Sequence, residues 1–119
     1  MKRISISLLV LFSLVCMASG VLALEIQVSP QTLVLSSKGG QLTVHTDVPF
    51  STAVTVVLEV NGTTIAVNTF ADDRGNLVAQ CSKEAVKEVI GDFQGETTTA
   101  TISLTVNGVT DSEVIRVKK

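Results

Sequence analysis

From Thr97 to Val106 apolar and polar residues alternate: Ala100, Ile102, Leu104 and Val106 fall on one parity, and Thr99, Thr101, Ser103 and Thr105 on the other. In an extended chain successive side chains point to opposite faces, so this period of two predicts a strand with one buried and one solvated face. The β-branched residues that fill it fit a pleated, half-buried surface. Such a strand needs partners, and the rest of the chain supplies them.

Strands are expected at Glu25–Val28 and Leu33–Leu35, a first strand broken around Pro30. Others are expected at Gln41–Thr46, Ala53–Val60, Thr63–Phe70, Leu77–Cys81 and Glu113–Val117. In Ala53–Val60 the alternation turns Val54, Val56, Leu58 and Val60 inward. The connections carry matching turn chemistry. Asn61-Gly62 sits between two alternating runs, a strong short hairpin signal because both residues tolerate positive φ, and Asn107-Gly108 is expected to open a second reversal. Ala71-Asp72-Asp73-Arg74-Gly75-Asn76 is a polar turn with glycine at a left-handed position. One segment has a different period. Ser82–Gly91 places Ala85, Val86, Val89 and Ile90 on one helical stripe, with Ser82 able to cap its start and Gly91 its end. A helix of about two turns does not stand alone, so it is expected to cross one end of a two-sheet sandwich. The fold class is therefore all-β, an antiparallel β-sandwich with one short helix.

The first residues read differently. Met1-Lys2-Arg3 is a positive start, Ile4–Met17 is almost wholly apolar, and Ala18-Ser19-Gly20 and Ala23 are small. This three-part layout is that of a cleavable secretory signal peptide, residues 1–23, with the cut after Ala23. The apolar run of roughly 14–20 residues falls short of the about 20 that span a bilayer. Cys16 follows Val15 rather than a small residue, so it does not fit a lipid-anchoring signal. The expected product is a single domain, residues 24–119, secreted or periplasmic, with no membrane insertion after cleavage.

Losing Lys2 and Arg3 leaves seven basic against eleven acidic side chains, and the basic ones are scattered along the chain. No basic face emerges, which argues against a nucleic-acid partner. Cys81 is then the one cysteine left, so no internal disulfide is available and packing alone must stabilise the domain.

Three stretches are similar to bacterial immunoglobulin-like domains of secreted and surface proteins. The opening Ser29-Pro30-Gln31-Thr32-Leu33-Val34-Leu35 before Gly39-Gly40 resembles their first strands. Ala71–Ala79 resembles their aspartate-and-glycine hairpin. Asp111–Val117 resembles their closing strand. The resemblance implies an immunoglobulin-like sandwich with roles in adhesion, spacing or protein binding, and it brings no catalytic residues. The chain has no tryptophan and no cysteine pair, so it departs from the antibody-type pattern.

Candidate sites are few. His45 falls on the polar face of its strand, with no evident partner for proton transfer or metal binding. Cys81 shares the inward face with Leu77 and Ala79 and reads as a small buried hydrophobe. Asp72, Asp73 and Asn76 offer oxygens to calcium, but calcium usually takes about 6–8 of them, and a hairpin turn accounts for the same residues. Asn61-Gly62-Thr63 matches a glycosylation sequon that the hairpin also explains. The threonine stripe reads as a solvated sheet face. No nucleophile–base pair, metal cluster or phosphate loop is legible, and no cofactor is expected.

The expectation is thus a non-enzymatic binding or structural module of the bacterial cell envelope, acting through a protein partner. The alternative is an adhesin-like or filament subunit assembling by strand exchange through its broken first strand. If the strand order is immunoglobulin-like, three loops gather at one end. Pro49, Phe50, Asp72, Asp73, Arg74, Asn107 and Asp111 are then the expected partner surface, with Phe50 more readily a plug for the core than an exposed tip.

Overall fold

The computed structural model describes residues 24–119; the expected signal peptide lies outside the described residues. The strands are β1 (Ile26–Ser29), β2 (Thr32–Val34), β3 (Gln41–Pro49), β4 (Val56–Val60), β5 (Thr63–Ile65), β6 (Asn68–Ala71), β7 (Asn76–Ser82), β8 (Thr97–Val106) and β9 (Val109–Lys118). A 3-10 turn, Phe50–Thr52, follows β3, and the helix α1 (Lys83–Ile90) joins β7 to β8.

Two sheets result. One runs β1-β3-β7-β6, the other β2-β9-β8-β4-β5. With β1 and β2 counted as one strand divided between the two sheets, this order matches that of an immunoglobulin-type sandwich, and the hairpin pairs β4-β5, β6-β7 and β8-β9 each stay within one sheet. The division falls at the cis Ser29-Pro30 peptide. Before it, β1 pairs antiparallel with β3; after it, β2 pairs parallel with β9, Leu33 opposite Val117. All other ladders are antiparallel.

The core lies between the sheets and follows the period of two. Val28, Leu42, Val44, Leu77 and Ala79 from one sheet meet Leu58, Val60, Ile102, Leu104, Ile115 and Val117 from the other, and all are buried. Removing such a side chain from water stabilises the fold by about 1.5–3 kcal/mol each. β8 and β9 form the longest ladder, ten residues from Thr97 opposite Lys118 to Val106 opposite Val109. They are joined by the two-residue loop Asn107-Gly108, and β4 and β5 by Asn61-Gly62. In both, the asparagine and glycine hold positive φ (52° and 86°; 51° and 84°), the type I′ geometry that matches strand twist.

The helix closes one end as its stripe predicts. Ser82 Oγ accepts the Ala85 N–H at 3.1 Å, and the Gly91 N–H donates to the Lys87 carbonyl at 3.0 Å. Val86 is fully buried, and Val89, Ile90 and Phe93 pack against the core. One charged residue is drawn in with it. Lys83 is 2% exposed, and its ammonium donates to the carbonyls of Val34 and Ser37 and to Ser37 Oγ. Three donors meet three oxygens, which is the condition for burying an ammonium without a counter-charge. The loop after β2 is thereby tied to the start of α1.

Two strand expectations are corrected. Thr63–Phe70 is not one strand: β5 belongs to one sheet and β6 to the other, and the chain changes layer at Ala66-Val67. The alternation survives the change because Ile65 and Val67 both still pack on the core. The strand expected at Ala53–Val60 starts at Val56, and Val54 is 87% exposed. The segment before Val56 is held outside the ladder by hydrogen bonds described below.

Candidate functional site

Three connections meet at the end of the sandwich opposite α1: Phe50–Thr55, the 72–75 turn and Asn107-Gly108. β3 delivers Pro49 opposite Asn76, and the Phe50 N–H donates to the Gly75 carbonyl at 2.9 Å. The first connection is thus fixed to the second. Its own turn is closed by the Ala53 N–H on the Phe50 carbonyl, 3.1 Å, and by Thr52 Oγ1 on the Pro49 carbonyl, 2.8 Å.

Asn107 fixes the other end. Its Oδ1 accepts the N–H of Val54 at 2.8 Å and of Thr55 at 3.1 Å, and its Nδ2 donates to the Thr52 carbonyl at 2.8 Å. Its backbone N–H reaches the Thr55 carbonyl at 2.9 Å. The positive φ of the hairpin aims this amide across the gap, so the asparagine that makes the turn also grips the neighbouring loop. A segment that makes no ladder contacts is nevertheless pinned at both ends.

The pinned segment exposes two large apolar side chains beside the hydroxyls of Ser51, Thr52 and Thr55. Val54 is 87% exposed and Phe50 is 40% exposed. Phe50 is therefore an exposed tip and not a plug. Its backbone is committed to Gly75, which leaves the ring at the rim, while the end of the core is closed by Val48, Val106 and the partly buried Ala53. Val54 was missed in the sequence because the alternation of Val56, Leu58 and Val60 extrapolates through it.

Charges border the apolar tip. Asp72 Oδ1 accepts the N–H groups of Arg74 at 2.8 Å and Asn76 at 3.0 Å. The Asn76 amide is the main reason its carboxyl sits below the usual carboxylate range. Partial burial opposes this, and the Arg74 amide, the Arg74 guanidinium and His45 assist it. Asp73 and Arg74 are exposed beside it. Of the calcium candidates, Asp72 commits an oxygen to the turn. Among the described residues no three His, Cys, Asp or Glu side chains come together as a metal-binding group.

Asp111 does not belong to this end. The reversal is complete at Gly108, and β9 has carried the chain away by residue 111. There the Asp111 carboxylate accepts the Ile26 N–H at 3.0 Å, and two residues on Glu113 accepts the Val28 N–H at 3.1 Å. Both donors belong to the outer side of β1. The edge that the sequence offers for strand addition is closed by carboxylates from the other sheet, one of the ways edge strands are protected.

His45 is exposed on the outer face of its sheet, as its parity predicts. It stands in one cross-strand row, Gln27, His45, Val78 and Phe70, that spans all four strands. Val78 is buried despite facing outward, since His45 and Phe70 flank it. Cys81 is buried and, among the described residues, unpaired, and burial pushes its thiol up to about 11, against the weaker opposing pull of the Leu42 backbone. No helix among the described residues is long and apolar enough to cross a membrane.

No protein-family model matches the chain, and no curated protein matches it at a meaningful level of similarity. The functional reading therefore rests on the loop end itself.

Proposed function

We propose that the chain is an exported, non-enzymatic binding module of the bacterial cell envelope, and that a protein partner docks on the Phe50–Val54 end. The observation that carries this is the pairing of high apolar exposure with rigidity. A valine at 87% exposure and a phenylalanine at 40% sit on a segment pinned by Gly75 and Asn107. A pre-ordered apolar tip loses little entropy when it is covered, which is what makes a small patch useful for binding. The charged rim of Asp73 and Arg74 supplies orientation. The lack of Trp and Tyr, the commonest anchors of tight interfaces, fits a partner held at moderate affinity.

The resemblance to bacterial immunoglobulin-like domains and the signal-like start support the setting. The strand order supports the fold half of that resemblance. The test is the double change Phe50→Ser, Val54→Ser. Both side chains are exposed, so the thermal midpoint is expected to stay within a few degrees while partner capture from envelope extract falls at least tenfold. Undiminished capture by a folded double variant would refute the assignment of the surface.

A further inference from the structure

The two lateral sides of the sandwich are finished differently. On one side the outward N–H groups of β1 end on Asp111 and Glu113, and β2 covers the edge of β9. On the other side β6 is the last strand of its sheet, and all four of its residues are exposed. From Thr63 to Ala71 the sequence is Thr-Thr-Ile-Ala-Val-Asn-Thr-Phe-Ala, without a charge, a proline or a glycine. Edge strands are ordinarily blunted by such residues, by bulges or by being short; of these devices this edge has only its four-residue length.

Its unpaired backbone groups can be assigned. The Asp72 N–H donates to the Asn76 carbonyl. Alternation along an antiparallel ladder then turns Phe70 and Asn68 towards β7, and Thr69 and Ala71 outward. We propose that this edge is a self-association site, where β6 pairs antiparallel with β6 of a second copy about a twofold axis through Thr69. Two four-stranded sheets then become one continuous sheet.

A second copy fits for reasons of charge and register. Centred on Thr69, the pairing sets Thr69 against its own equivalent, both with outward backbone groups. Phe70 meets Asn68 of the second copy, and Ala71 meets Val67. Before Val67 the chain lies in the other sheet and after Ala71 it enters the turn, so the pairing is confined to Val67–Ala71, which carries no charge. For a chain with more acidic than basic side chains, this is a stretch of edge where another copy approaches without meeting acids. Phe70, 42% exposed, gains the second copy's Phe70 on the cross-strand diagonal, within reach of an aromatic pair.

Sedimentation of the protein expressed from its full chain, over concentrations up to about 1 mM, tests this with two variants. Thr69→Pro removes an outward donor while leaving the β7 ladder intact, since proline is tolerated on the solvent side of an edge strand. Thr69→Lys places a charge on the twofold axis. The expected result is a mass rising towards the dimer for the natural chain and a monomer for both variants. Amide exchange is expected to slow with concentration at Thr69 and Ala71 and to stay unchanged at Asn68 and Phe70. A natural chain that remains monomeric, whether the edge is idle or reserved for a foreign peptide, overturns the proposal. So does a dimer that Thr69→Lys forms equally well, or one whose new protection lies at residues 50–55. If Thr69→Pro fails to fold, Thr69→Lys decides. Loss of this dimer leaves the loop-end surface untouched, so the two readings fail separately.

Discussion

Asn107 holds Val54 in place from across the loop end, its Oδ1 2.8 Å from the Val54 N–H. The same side chain takes the Thr55 N–H and donates to the Thr52 carbonyl, so one amide satisfies three backbone groups of a neighbouring loop. Asn107→Gly keeps the positive φ of the turn and removes the grip. The expected cost is about 1–2 kcal/mol in urea unfolding, since a typical intramolecular hydrogen bond contributes about 1 kcal/mol net and these are exposed. Faster amide exchange at Val54 and Thr55, with β8 unaffected, would locate the change.

Lys83 carries a prediction about the opposite end. Lys83→Met preserves the length of the side chain and leaves the Val34 and Ser37 carbonyls without their donor. Orphaning these part-buried acceptors costs at most about 1–3 kcal/mol, and a loss of stability within that range is expected, with a lower denaturation midpoint and an unchanged slope. A neutral result would mean that water reaches these carbonyls and that the clamp is not structural.

Cys81 gives a pH signature. Its thiol is raised by burial to about 11 from 9.0, so folding favours the protonated form. That contribution is complete below pH 9 and is lost as pH rises towards 11, because the unfolded chain ionises first. In the folded protein the thiol is expected to resist alkylation at neutral pH and to react on unfolding. Cys81→Ala should flatten the alkaline loss of stability between those two values; an unchanged alkaline limb would assign the loss to other groups.

The carboxylates on β9 are expected to act as edge guards. Asp111→Ala with Glu113→Ala leaves the Ile26 and Val28 N–H groups of an edge strand unpaired. The expected outcome is a lower thermal midpoint together with oligomers larger than the β6-paired dimer, read by light scattering. Stability lost without such oligomers would make the two residues braces between the sheets and nothing more.

These features differ in how far the sequence disclosed them. The sandwich was legible because its information is local: the parity of Thr97–Val106 sets a buried face, and Asn61-Gly62 and Asn107-Gly108 set the reversals. The split of Thr63–Phe70 was hidden by that same parity. A strand that crosses from one sheet to the other keeps one face towards the core, so Ile65, Val67 and Thr69 read as a single run. Lys83 was hidden because its burial depends on carbonyls 46 and 49 residues away. Asp111 was misplaced because its partner, Ile26, lies 85 residues back in the other sheet, and no local pattern announces such a pairing. The loop end was found through turn chemistry and expected strand order. Its apolar tip was not, since Val54 continues a buried parity and only the Asn107 bonds remove it from the strand.

The central claim is that the Phe50–Val54 tip meets a protein partner. Site-specific photo-crosslinking in living cells tests it most directly, with the reactive group placed in turn at Val54, at Phe50 and at Thr99 on the solvated face of β8. The account predicts one adduct of defined mass from positions 50 and 54 and none from 99. Adducts from 99 alone, or the same faint set from all three positions, would contradict it.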